Sequence, residues 1–353
     1  MYNKSKIAIF RKAGTPVSIE ECSIPELKQG ELLVKNEYVT LCRSDISTYM
    51  GKRIEKSPTI LGHEIVGRIV AVARGAPPAD LNGMPLHEGK RITWAIYASD
   101  PDSEMSRLGI PQKSPDLFKY GHEQLTETNT LNGGLAEYTI IRKNTPVIVL
   151  SEDVPVNAAA IINCSVSTVA GAIRLAGGVE GKRVALWGIG MLGIIACAQC
   201  REAGAREIIA VDINSERLAL AGRFGATQTM KAGEFDPSLL KADCTIDFSG
   251  NLASMGATVD ALRIGGTAVW VGGVCPQEPI RLDTEKIVRN LYTIKGLHNY
   301  NADDFRAAVS FMEKHHADYP ISELIYDGFT LDQTEEAFRY AIDNNPFRVG
   351  IHF

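Results

Sequence analysis

The chain has no apolar run approaching the ~20 residues that a membrane-spanning helix needs. Its first ten residues, MYNKSKIAIF, hold a basic stretch but no apolar segment of signal-peptide length, so secretion is not expected. A large excess of charge is also missing. Against 37 Lys and Arg stand 42 Asp and Glu, and the net −5 offers nucleic acid or an anionic membrane no basic surface. The seven cysteines are odd in number and scattered over 353 residues, which does not make a disulfide framework. No internal repeat or low-complexity tract is visible. These absences predict a cytoplasmic protein with neither nucleic acid nor membrane as partner.

What is there is an ordinary globular composition. A hydrophobic share of 45% with 22% charged residues excludes a disordered chain, and the length suits two domains better than one core. Segments 6–10, 31–40 and 65–72 are rich in β-branched residues between Gly, Pro or charge, predicting short strands. Residues 98–134 are polar, contain three prolines and lack a sustained period, which predicts a long surface excursion.

From about residue 158 the pattern changes. Strands predicted at 184–187, 207–211, 244–248, 267–271 and 292–297 alternate with helical stretches at 191–203, 215–224 and 252–262. That alternation implies βαβ units and a parallel, doubly wound sheet, hence an α/β fold. If 267–271 ends the sheet, its edge needs covering. Amphipathic helices are predicted near 303–314 and 334–342.

The string GIGMLG at 188–193 follows a predicted strand and opens a predicted helix, with Asp212 ending the next strand. In that context it is a dinucleotide-binding fingerprint. Gly188 permits the tight turn, Gly190 lets the backbone approach a pyrophosphate, and Gly193 lets the helix pack close to the sheet. Met191 and Leu192 open the helix, whose N-terminal N–H groups face the phosphates. Asp212 suits the ribose hydroxyls of NAD(H) and repels a 2′-phosphate, while Arg217 lines the adenosine pocket or offsets that repulsion.

Cys42-Arg-Ser44-Asp45 lies about 20 residues before Gly62-His63-Glu64, and Cys164 precedes the glycine fingerprint. Two thiolates and an imidazole with an open position make a catalytic zinc site. These motifs together resemble the zinc-dependent medium-chain alcohol dehydrogenase family over nearly the whole chain, from PELKQGELLV at 25–34 to Arg348. The resemblance implies a GroES-like, β-rich catalytic domain at 1–157 and 298–353 and a Rossmann NAD-binding domain at 158–297. It places the metal ligands on Cys42, His63 and Cys164, with Asp45 orienting the histidine. Glu64 either ligates zinc transiently or stays beside it. Ser44 would bind the substrate oxygen and relay its proton, and Thr168 would sit beside the nicotinamide. Gly272 and Val274, in the VGGV at 271–274, would hold the carboxamide, and Arg348 the pyrophosphate. The activity implied is hydride transfer between an alcohol and NAD, giving an aldehyde or ketone, in a homodimer or homotetramer. The alternatives are a zinc-free reductase of enones or quinones and a non-catalytic nucleotide-binding protein.

The chain departs from the family in two places. Many relatives hold a structural zinc on four cysteines in the loop after strand 92–96, yet none lies between Cys42 and Cys164. One zinc per chain and a loop held by packing are therefore predicted. Ser47 stands where the family often has a relay histidine, leaving a path through Ser44 and the ribose, or help from Thr48. The stretches 108–123 and 132–138 resemble a branch proposed to act in phosphonate catabolism, alongside alcohol and polyol dehydrogenases. Arg43, Arg53, Lys119 and His122 are candidate anion partners, so a phosphonate alcohol and a neutral polyol both stay open. The second Gly-His-Glu, at 121–123, lacks the upstream Cys motif and is read as outside the ligand set. Cys197 and Cys200 are read as a packed helix face.

Overall fold

The computed structural model describes residues 3–353, and the chain divides into two compact units. The first comprises residues 1–164, 301–316 and 321–353, the second residues 165–300 and 317–320.

In the second unit, six parallel strands form one sheet. Its spatial order is Gln228–Lys231, Glu207–Asp212, Arg183–Trp187, Ala242–Asp247, Leu262–Trp270, Thr293–Gly296. Numbered by sequence within this unit the order is 3-2-1-4-5-6, the doubly wound arrangement whose switch point lies beside the first strand. The sheet is parallel because its strands are apolar on both faces: Ala185, Ile209, Ile246 and Val269 are all fully buried. The strand over 267–271 does not end the sheet. Leu262–Trp270 pairs on both sides, and the edge is Thr293–Gly296. Cys197 and Cys200 are fully buried on the helix Met191–Glu202.

In the first unit a mainly antiparallel sheet has the ten-residue strand Leu32–Leu41 at its centre. Glu64–Val72 and Arg348–His352 flank it, and Tyr138–Ile141 also pairs with it. Register is what brings distant residues together here. Thr40 pairs with Glu64 and Leu41 with Val349, so Cys42, His63 and Arg348 arrive at one end of three adjacent strands.

The 98–134 segment is less superficial than its polarity predicts. It contains the short helix Glu104–Arg107 and a two-stranded ribbon, Tyr97–Ala98 with Phe118–Lys119. Its latter part buries Tyr120, His122, Leu131 and Asn132. Hydroxyl ties, besides packing, hold the loop: Ser103 Oγ lies 2.9 Å from Ser106 Oγ and 2.8 Å from Ser114 Oγ, and Ser106 donates to the Asp100 carbonyl at 2.6 Å. Among the described residues no helix is long and apolar enough to cross a membrane.

Candidate metal centre and coenzyme turn

Three segments converge on the candidate metal centre. Cys42 ends the central strand and precedes the helix Arg43–Tyr49, and His63 precedes the strand Glu64–Val72. Cys164 lies in one π-helical turn, Ile162–Val166, a local widening frequent at functional sites. The side chain that fastens this turn is Asn163, which sequence reasoning missed. Fully buried, it donates to the carbonyls of His63 and Trp94, each at 2.9 Å. Only the tertiary position of Cys164 reveals that role.

The ligand atoms of Cys42, His63 and Cys164 all lie within 4.8 Å of one another, the one such group of metal-binding type among the described residues. A tetrahedral ion with bonds of about 2.0–2.3 Å wants its ligands roughly 3.5–4 Å apart, so a small closure completes the site. The electrostatics fit a cation too. Cys164 hydrogen-bonds to Cys42, and with Arg348 and His63 this draws the Cys42 thiol well below its usual range despite burial. Cys164 moves the other way, raised by that same contact and by burial. Burial opposes a charged His63, yet Asp45 and Cys42 outweigh it and hold the imidazole up to about 10. A buried set that favours positive charge between two sulfurs suits a divalent ion.

Asp45 is fully buried, with Oδ1 3.3 Å from His63 Nδ1, though the pair is not aligned for a hydrogen bond. Its aligned bonds are to backbone, accepting from Cys42 N–H at 2.9 Å and Gly62 N–H at 3.1 Å. The carboxylate thus locks two ligand-bearing turns to each other. Ser44 Oγ lies 3.5 Å from His63 Nε2. Thr48 is buried, and its hydroxyl has no hydrogen-bond partner among the described residues.

Glu64 is not among the converging ligands. Arg348 grips it with two bonds, Nε to Oε2 at 2.6 Å and Nη2 to Oε1 at 2.9 Å, and Thr40 donates at 2.6 Å. Arg348 Nη2 also lies 3.6 Å from Cys42 Sγ. Burial opposes the Arg348 charge, but Glu64 and the two cysteines outweigh it and raise its pKa further. The structure therefore gives Arg348 a partner, Glu64, that spacing alone did not suggest. His122 is the other unexpected neighbour: its ring centroid is 5.2 Å from that of His63.

The coenzyme turn belongs to the second unit. Gly188 has φ +84°, and a Cβ there would meet Ser249 N at 2.6 Å. A Cβ on Gly193 would lie 2.2 Å from the Gly188 carbonyl oxygen. Both glycines are thus required by the fold itself. Gly190 differs, since a Cβ there would meet only Arg217 Nη1, at 3.8 Å. Open space over a glycine between two constrained ones fits a ligand that needs close backbone approach. Met191 and Leu192 begin the helix Met191–Glu202, which lacks a side-chain cap at Gly190 and so leaves N–H groups for an anion. Asp212 closes the turn from below, accepting from Ile189 N–H at 2.6 Å and from Asn214 N–H at 2.8 Å. Gly272 and Val274 follow the fifth strand, where Val274 N–H donates to the Gly272 carbonyl at 2.9 Å. Thr168 is buried on the helix Ser167–Leu175.

Residues 28–152 match the profile described as alcohol dehydrogenase GroES-like domain, and residues 191–314 the one described as zinc-binding dehydrogenase. Rabbit (Oryctolagus cuniculus) alcohol dehydrogenase class-2 isozyme 2 is 30% identical over 296 residues, covering 76% of this chain and 77% of that one. The chain belongs to the zinc-dependent medium-chain alcohol dehydrogenase family. The fold agrees with that membership. An alcohol dehydrogenase from Thermotoga maritima superposes with a TM-score of 0.92 at 24% identity, covering 99% of both chains. Galactitol-1-phosphate dehydrogenase from Escherichia coli superposes with a TM-score of 0.85 at 25% identity, covering 99% of this chain and 100% of that one. A member of this dehydrogenase family is an oxidoreductase acting on small alcohols or carbonyl compounds.

Proposed function

We propose that this chain is a zinc- and NAD-dependent dehydrogenase of a small polar alcohol, with the first unit as catalytic domain and the second as coenzyme domain. The observation that carries the reading is the convergence of Cys42, His63 and Cys164 from positions up to 122 residues apart (164 − 42). A zinc-free reductase has no use for that set, and a mere nucleotide-binding protein has none for Asp45 and Asn163 fastening it.

When bound, zinc supplies Lewis acidity to the substrate oxygen and the nicotinamide accepts or donates hydride. The chain's own residues do the rest. Cys42, His63 and Cys164 hold the ion, one per chain, while Asp45 and Asn163 keep their turns in register. Ser44, beside His63 Nε2, takes the proton of the substrate hydroxyl and passes it outward. Arg348 holds the Glu64 charge off the ligand set. Gly190 and the helix N-terminus receive the pyrophosphate, and Asp212 disfavours a 2′-phosphate, which supports NAD over NADP. Thr168, Gly272 and Val274 line the nicotinamide end, and Arg217 the adenosine end. The phosphate in the name of the structural relative galactitol-1-phosphate dehydrogenase keeps anion-bearing alcohols, phosphonates included, beside neutral polyols. The exposed backbone edge of Thr293–Gly296 supports a homodimer or homotetramer. The cytoplasm is the proposed location.

The test is turnover of an alcohol panel with NAD+ and NADP+ by wild type and Cys42→Ser. The expected result is NADH formation by wild type and a loss of about a thousandfold or more in the variant, since a metal's Lewis acidity contributes several kcal/mol. Equal turnover by both proteins would refute the reading.

A further inference from the structure

We infer that His122 is a positioning residue for the metal centre: held by Glu55, its ring packs on His63 and sets the orientation of that ligand's ring. This inference rests on the proposed zinc site and concerns how the chain keeps its histidine ligand in place.

A histidine ligand is ordinarily oriented by a hydrogen bond from its second ring nitrogen. His63 lacks that bond. Its Nδ1 is buried without a hydrogen-bond partner among the described residues. Asp45 lies 3.3 Å from it but directs its aligned bonds to the backbone N–H groups of Cys42 and Gly62. Rotation about the His63 Cβ–Cγ bond would turn the ring nitrogens away from the two sulfurs, so the ring angle must be fixed in another way. Packing against the second Gly-His-Glu does this. Gly121 has φ +75°, and a Cβ there would lie 2.7 Å from the Gly62 carbonyl oxygen and 3.3 Å from His63 Cβ, so a glycine is what lets the two turns approach. The approach brings the His122 ring centroid to 5.2 Å from that of His63, with the planes inclined by 34°, within the range of an attractive ring pair.

His122 is itself held. It is buried, and its Nδ1 lies 3.0 Å from Glu55 Oε1. An ionised carboxylate only accepts, so Nδ1 carries the hydrogen, which fixes the tautomer and the plane of the ring. The same Glu55 oxygen is paired with Arg53 Nε at 2.6 Å. The Arg53 backbone N–H in turn donates to the Ser47 carbonyl at 3.1 Å, on the helix that follows Cys42. Two further bonds tie the loop carrying Glu55 to the loop carrying His122. Thr59 Oγ1 donates to the Glu123 carbonyl, and Leu125 N–H to the Pro58 carbonyl, each at 2.7 Å. A continuous set of contacts thus runs from the helix after one ligand, through Arg53, Glu55 and His122, to the ring of another. The second Gly-His-Glu is outside the ligand set yet supports it.

The experiment uses the full-length protein and two readouts that do not depend on turnover. Zinc affinity is measured by competition with a chromogenic chelator, and the ligand-field absorption bands are recorded after substitution with cobalt(II). His122→Ala and Glu55→Ala are each expected to weaken zinc binding by about 10- to 100-fold and to shift the cobalt bands. Glu55→Gln still accepts from His122 Nδ1–H and is expected to restore most of the affinity and the wild-type bands. Glu55→Ala leaves the rings themselves intact, so it keeps the test open should His122→Ala fail to fold. Unchanged zinc affinity in the alanine variants, unshifted cobalt bands, or a Glu55→Gln protein as weak as Glu55→Ala overturns the inference and leaves the zinc reading standing. A wild-type protein that binds neither metal overturns the zinc reading and the inference with it.

Discussion

The coenzyme turn and the metal centre are built by opposite means. The turn is local: six consecutive residues, two of them glycines that the backbone cannot replace, make a cradle from main-chain N–H groups. The metal centre is assembled by tertiary structure. Its three candidate ligands come from separate segments, and backbone-directed bonds from Asp45 and Asn163, plus the Arg348–Glu64 pair, tie the surrounding segments together. A site made of backbone is written contiguously in the sequence. One made of converging side chains is written as isolated residues whose meaning depends on strand register.

That contrast predicts unequal sensitivities. The largest effect is expected at Arg348. Arg348→Met leaves the fully buried Glu64 carboxylate without its bidentate partner, which should cost about 3–5 kcal/mol in chemical denaturation. A loss under about 1 kcal/mol would mean the metal centre does not depend on that pair.

Next come the glycines. Gly193→Ala forces a Cβ to 2.2 Å from a carbonyl oxygen and should destabilise the protein by about 1–3 kcal/mol. Gly190→Ala meets open space, so its denaturation midpoint should barely move while NADH binding weakens at least about tenfold, as fluorescence titration would read. Equal loss of stability in both would erase the distinction between a structural and a ligand-facing glycine.

The smallest effect concerns Glu55, at the rim of the metal centre. Burial opposes its charge, but His122, Arg53 and Lys119 hold the carboxyl at about 2 against an ordinary 4.5. A depressed carboxylate contributes stability that is complete above pH 4.5 and is lost as pH falls toward 2. The denaturation midpoint of Glu55→Gln should therefore change less than that of wild type between pH 5 and pH 3, by the equivalent of about 1–2 kcal/mol. Parallel curves would show that Glu55 is not held this way.

Much of the second unit was legible in advance, because alternating apolar runs and glycine turns are local signals. The strand over 267–271 misled only about position: its own sequence does not say that Thr293–Gly296 pairs beyond it. In the first unit the three residues that converge were legible as motifs, but less so the contacts that support them. Asn163 looks like any polar residue in an apolar stretch until the π-helical turn aims it at two carbonyls. His122 lay in a segment whose polarity pointed to the surface, and the close approach allowed by Gly121 instead buried it beside His63. Arg348 met Glu64 because Arg348–His352 and Glu64–Val72 pair in register with the two sides of Leu32–Leu41.

The most direct test of the central claim is the metal content of the purified protein, followed through chelation and reconstitution alongside alcohol turnover. One zinc per chain, with activity lost as it is removed and regained as it returns, is the result this structure predicts. Full alcohol turnover by protein free of zinc would contradict it.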